Sequence, residues 1–173
     1  MRVNRTRTQR GVGLIEVLLA VILLSIGFLA SARMQVQSMI HNQNAYALSQ
    51  AKYLALDMSE RMRANRDGLR AGLYEDLETA ANTVEPGCVA AGTTCSAAER
   101  VAADRHAWSV ALHPTSAGTV PLLASTADIA AVGRVTRDAL GGAYRVSVAW
   151  AERVDDGHAA REVAVRVVPA YLP

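Results

Sequence analysis

Aromatic side chains are scarce in this sequence, with one Phe, two Trp and five Tyr in 173 residues. So few flat rings offer little for base stacking, and the charge pattern points the same way. Outside the first ten residues 14 Lys and Arg stand against 16 Asp and Glu, so the body lacks the basic excess of a nucleic-acid binder. Catalytic signatures are missing too: no Gly-rich phosphate loop, no nucleophile elbow and no HExxH. The four histidines, His41, His106, His113 and His158, are scattered, and two cysteines give no zinc-finger spacing. The pair Asp155-Asp156 reads as a solvated turn rather than a metal or acid/base site. Neither an enzyme nor a cofactor is expected. Proline is absent from Val12 to Asn65, so nothing in that stretch interrupts a helix.

What is present is concentrated at the start. Arg2, Arg5, Arg7 and Arg10 carry four positive charges with no acid among them. Val12 to Ala32 then runs apolar apart from Glu16 and two serines. As a helix this run spans roughly 31 Å, the thickness of a bilayer's hydrocarbon core. The arginines hold Met1–Arg10 on the cytoplasmic side and direct the rest outward. In such an exported body, Cys88 and Cys95 most simply form one disulfide. Closing so short a loop stabilises by about 2–3 kcal/mol in the chain-entropy picture.

Three fates compete for the apolar run. Ala30-Ser31-Ala32 offers the exit of an ordinary secretory signal, which would release a soluble binding protein after Ala32. An uncleaved anchor is the second. The third is a cut between Gly11 and Val12 that leaves the apolar run on the mature chain. Glu16 separates them. A carboxylate within a spanning helix costs on the order of 3 kcal/mol, and a signal or a passive anchor gains nothing from it. A cut after Gly11 supplies a partner, the new amine of Val12, within the subunit or on a neighbour.

The string Gly11-Val12-Gly13-Leu14-Ile15-Glu16-Val17-Leu18 behind a basic leader resembles the N-terminal motif of type IV pilins. The resemblance implies a prepilin peptidase that cuts after Gly11 and methylates the amine of Val12. It places Glu16 at the family's fifth mature position, where it serves subunit assembly. Valine stands after the cut where phenylalanine is usual. Ser59-Glu60-Arg61-Met62-Arg63-Ala64-Asn65-Arg66, then Tyr74, Asp104, Trp108 and the Tyr144–Trp150 stretch, are similar to minor pilins of the PilV type. That similarity implies a subunit that initiates or primes pilus assembly. It would be held in the bacterial inner membrane with its head in the periplasm, and later in the pilus at the cell surface. The implied partners are other pilins, the peptidase, the inner-membrane assembly machinery and, before assembly, membrane lipid. A type II secretion pseudopilin shares the N-terminal motif and is the alternative within the same mechanism.

The rest of the chain supports an α+β class: a long N-terminal helix packed on a small antiparallel sheet. Val36, Ile40, Ala47, Ala51, Leu54, Met58 and Met62 recur at helical spacing, with Asp67-Gly68 expected as the stop. Arg61, Arg63, Arg66 and Arg70 cluster near the helix end, where cations complement its carbonyls. Glu85–Thr94 reads as a surface loop, and Ser96 with Glu99 has capping-box spacing before a helix that ends at Pro114. On that helix Val101, Trp108 and Leu112 share one side, with Trp108 as a core anchor. Tyr144–Trp150 and Val163–Val167 alternate as strands joined at Asp155-Asp156-Gly157, and a weaker strand is expected near Ala131–Arg137. The expected organisation is a leader over 1–11, a transmembrane and polymerisation helix over 12–32, its amphipathic continuation over 33–66, and a head over 67–173.

Overall fold

The structure, a computed structural model, describes residues 13–90, 92–113, 122–138, 142–154 and 157–169. They fall into two compact units that divide between His41 and Asn42. The first consists of the early turns of α1 (Leu14–Ala64), a helix of 51 residues. Leucine, isoleucine and alanine dominate its sequence, and no proline removes a backbone donor.

The second unit holds the remainder of α1 and all other elements: α2 (Arg66–Arg70), β1 (Leu77–Glu78), α3 (Gly87–Ala90), α4 (Ala97–Leu112), β2 (Val132–Arg137), β3 (Tyr144–Val154) and β4 (Gly157–Val167). The four strands pair antiparallel in chain order. The register sets Val135 opposite Val146 and Val146 opposite Val165, so one face gathers the β-branched side chains. Tyr144, Val146, Val148 and Trp150 point from β3 into the core, and Arg145 points out. From α1 come Ala51, Leu54, Ala55, Met58 and Met62, in the same buried cluster as those strand residues. The α+β class is as the sequence indicates.

Four details differ from the sequence expectation or extend it. The apolar stripe of α1 is buried from Ala51 onward, whereas Val36 is exposed and Ile40 and Ala47 are only partly covered. Asp67-Gly68 does not follow the helical structure; it lies inside α2. The break comes at Asn65 (φ −96, ψ 67), whose side chain caps the new turn by accepting the Gly68 N–H at 3.3 Å. A Cβ at Gly68 would sit 2.5 Å from Asn65 Nδ2, so glycine is there for space rather than as a terminator. The disulfide loop contains one helical turn, α3. A two-residue strand, β1, which the sequence did not suggest, extends the sheet beside β2.

Other expectations hold. The capping box of Ser96 and Glu99 is formed in both directions at the start of α4. Val101, Trp108 and Leu112 are buried on one side of that helix. Pro114, Asp155 and Asp156 lie outside the described residues. Trp108 lies flat over β2 because Gly133 has no side chain, and a Cβ there would come within 2.6 Å of the indole ring. Gly133→Ala is therefore expected to destabilise the second unit by about 1–3 kcal/mol through overpacking. Denaturant unfolding of the full chain, followed by tryptophan fluorescence, measures this. An unchanged midpoint would show that the ring can shift aside freely.

Candidate assembly site

In the first unit the backbone carbonyl of Gly13 accepts the N–H of Glu16 at 2.9 Å and that of Val17 at 3.3 Å, which opens α1. Glu16 thus stands in the first turn, where the positive end of the helix dipole favours a carboxylate. It heads an open apolar groove continued by Val17, Ala20, Val21 and Leu24. Among the described residues Glu16 has no ion-pair partner. Ser25 differs, because its hydroxyl donates to the Val21 carbonyl at 2.7 Å and is satisfied within the helix.

The side chains around this turn are uncovered. Leu14 is 79 % exposed and Phe28 76 %, with Ile15, Leu23, Leu24 and Leu29 similar. An 18-residue window reaches a mean hydropathy of 2.5, and none of it is buried among the described residues. A contiguous apolar surface of this size is not left in water by a soluble monomer, so it calls for lipid or other apolar helices. Gly11 and Val12, the expected cleavage and methylation positions, and the leader arginines Arg2, Arg5, Arg7 and Arg10 lie outside the described residues.

In the second unit a buried polar group joins the end of α1 to α4. The Tyr74 hydroxyl donates to Asp104 Oδ2 at 2.6 Å and accepts from Asn65 Nδ2 at 3.1 Å. The same Asn65 nitrogen donates to the Ala97 carbonyl at 2.9 Å. Arg61 bonds Asp57 at 2.8 Å and lies 3.8 Å from the other oxygen of Asp104. Burial pushes the Asp104 carboxyl up, against the pull of Tyr74, Arg61 and Arg100. Burial likewise pushes the Tyr74 hydroxyl far up, helped by its bond to Asp104.

The resemblance singled out Asn65, Tyr74 and Asp104 separately, but nothing in their spacing revealed that they touch. Arg61, expected at the helix terminus, is held by the two acids, and Arg63 is paired with Glu60. Cys88 and Cys95 form a disulfide with Cα atoms 5.3 Å apart, immediately before the Ser96 cap. His106 lies against Thr83 at 3.0 Å and His113 against Thr79 at 3.2 Å, so the two are not brought together. Among the described residues no cluster of His, Cys, Asp and Glu could hold a metal ion.

The exposed apolar helix with its single early acid, followed by a small antiparallel sheet, is also what the comparisons with known families select. Residues 6–32 match the prokaryotic N-terminal methylation motif. Residues 33–106 match the family described as Type IV pilin Tt1218. Together the two matches make residues 6–106 similar to type IV pilin sequence. No curated protein and no solved structure matches the chain. The second match ends within α4, so it includes the Asn65–Tyr74–Asp104 group, while the strands β2 to β4 lie beyond it.

That buried group gives the second unit a pH signature. Tyr74 ionises in the unfolded chain near pH 10 and higher in the fold. Its contribution to stability is therefore fully present below about pH 10 and is lost as pH rises through the folded value. Unfolding free energy is expected to fall above about pH 10. The fall should be shallower in Tyr74→Phe, where Tyr144, also raised by burial, still contributes. Urea titrations of both proteins across the alkaline range test it; equal slopes would mean that Tyr74 ionises freely in the fold.

Proposed function

We propose that this chain is a minor type IV pilin of the PilV type, made as a membrane-held precursor and built into the pilus through its N-terminal helix. The observation that carries the proposal is the coincidence of the methylation motif with an uncovered apolar helix that bears Glu16 in its first turn. Prepilin peptidase removes the leader Met1–Gly11 and methylates the amine of Val12. The subunit then stays in the inner membrane with residues 12–32 as its span and residues 67–173 as a periplasmic head. Residues 33–66 carry the helix on, and its apolar stripe is buried in the core of the second unit from Ala51 onward.

On assembly, Glu16 meets the Val12 amine of a neighbouring pilin. A carboxylate in an apolar medium is unfavourable until it is paired, so the desolvation is offset at the moment of docking and at one register only. The apolar side chains around it exchange lipid for neighbouring helices at little net change, which leaves the ion pair to set the position. The assembly machinery of the inner membrane lifts the subunit, and a role in initiation or priming fits the PilV likeness.

Four measurements test this. Mass and N-terminal analysis of the protein from its native membrane should find a chain that begins at methylated Val12. A start at Arg33 would mean a secreted soluble protein, and an intact Met1 a simple anchor. Glu16→Ala should still insert and be cut, yet enter the fibre about tenfold less or worse, as loss of one desolvated ion pair implies; normal incorporation would sink the pairing. Gly11→Glu should accumulate uncut, and a processed product from it would refute the assigned site. Loss of surface pili on deletion, with protein secretion intact, separates the pilus from a type II secretion pseudopilus.

A further inference from the structure

Beside the buried polar group, in the second unit, lies a polar cleft of about 450 Å³. Arg66 and Arg70 reach it from α2 and Arg100 from α4, and the acid in its lining is Asp67. Its walls are tied together. Asn65 bonds Ala97 across the cleft floor at 2.9 Å and caps α2, and Cys95 at the rim is fixed by its disulfide to Cys88.

Arg70 and Arg100 differ from most other arginines among the described residues. Among the described residues seven arginines form ion pairs, but neither Arg70 nor Arg100 is one of them. Arg100 acts on Asp104 through space without an ion pair. Like charges held along one cleft repel, and a bound anion relieves that repulsion. A guanidinium presents parallel donors that suit a tetrahedral oxyanion, and several together suit a doubly charged one.

We infer that this cleft binds a phosphate-type oxyanion, either free phosphate or the phosphate group of a monoester. The volume exceeds what one phosphate fills, which leaves room for the group it is attached to. Fixed walls mean that little backbone ordering is needed on binding. The inference does not depend on the assembly role.

The test is calorimetric titration of the full chain, in non-ionic detergent at low salt, with inorganic phosphate and separately with glucose 1-phosphate. Saturable one-site binding is expected, weakened at least about tenfold by the Arg70→Gln/Arg100→Gln double variant. The Arg70→Lys/Arg100→Lys variant should fall between, since charge is kept and the fork is lost. Arg145→Gln, on the outer face of the sheet, should bind as the parent does. Binding of phosphate alone assigns the free anion, and binding of the ester at least as tightly assigns the monoester. Absence of saturable binding by both probes, or parent-like binding by the Gln double variant, overturns the inference.

Discussion

The second unit depends on the packing of Ala51, Leu54, Ala55, Met58 and Met62 into the same core as Tyr144, Val146, Val148 and Trp150. A sheet of four strands whose first strand has two residues has one face to bury and no second sheet to bury it against. The helix supplies that cover. Ala51 and Ala55 are fully buried, and their small side chains let the backbone approach while Leu54, Met58 and Met62 fill the space on either side. Burial of each of those three larger side chains contributes about 1.5–3 kcal/mol. Trp108, from α4, settles onto the space left by Gly133.

The same helix meets the opposite condition toward its N-terminus. There the large apolar side chains are exposed among the described residues. One continuous helix thus has two solvents: a protein core for its last turns and an apolar medium for its first. Glu16 is the one residue in the apolar part whose charge conflicts with that medium. On the proposed reading the conflict is useful, because an acid that is unfavourable alone and favourable when paired acts at a single step and register.

Much of this was legible in the sequence, for identifiable physical reasons. The span of α1, the capping box of α4 and the alternation in β3 and β4 are local patterns whose period equals that of the element they form. The methylation motif is local as well. What local pattern does not encode is contact between residues far apart. Tyr74 and Asp104 are 30 positions apart and share no periodicity, so each looked like an isolated polar residue. The pairing of β1 with β2 rests on Leu77 and Glu78 alone, too short for alternation to register. Asp67-Gly68 carried a stop signal that a different constraint had produced: Asn65 had already ended the helix and needed a residue without a Cβ three positions on. The arginines Arg61 and Arg63 do lie in the last turn of α1, as expected, but only folding brings Asp104 near Arg61, so that contact was not legible.

The buried polar group raises a question of purpose, because burial holds the Asp104 carboxyl above its ordinary range. A carboxylate that is disfavoured where it sits is a poor source of stability, and an apolar replacement of matching shape could do as well. Its value lies in geometry. Asn65 Nδ2 reaches both the Tyr74 hydroxyl and the Ala97 carbonyl, and Tyr74 reaches Asp104, so one arrangement of α2 and α4 satisfies every donor. Sliding either helix by a turn would leave a buried carboxylate or amide unpaired, a loss of about 1–3 kcal/mol per group or more for the charged one. The same bonds hold Arg66, Arg70 and Arg100 along one cleft. The close fit at the end of α1 therefore also positions the exposed guanidinium groups of Arg70 and Arg100, which form no ion pair among the described residues.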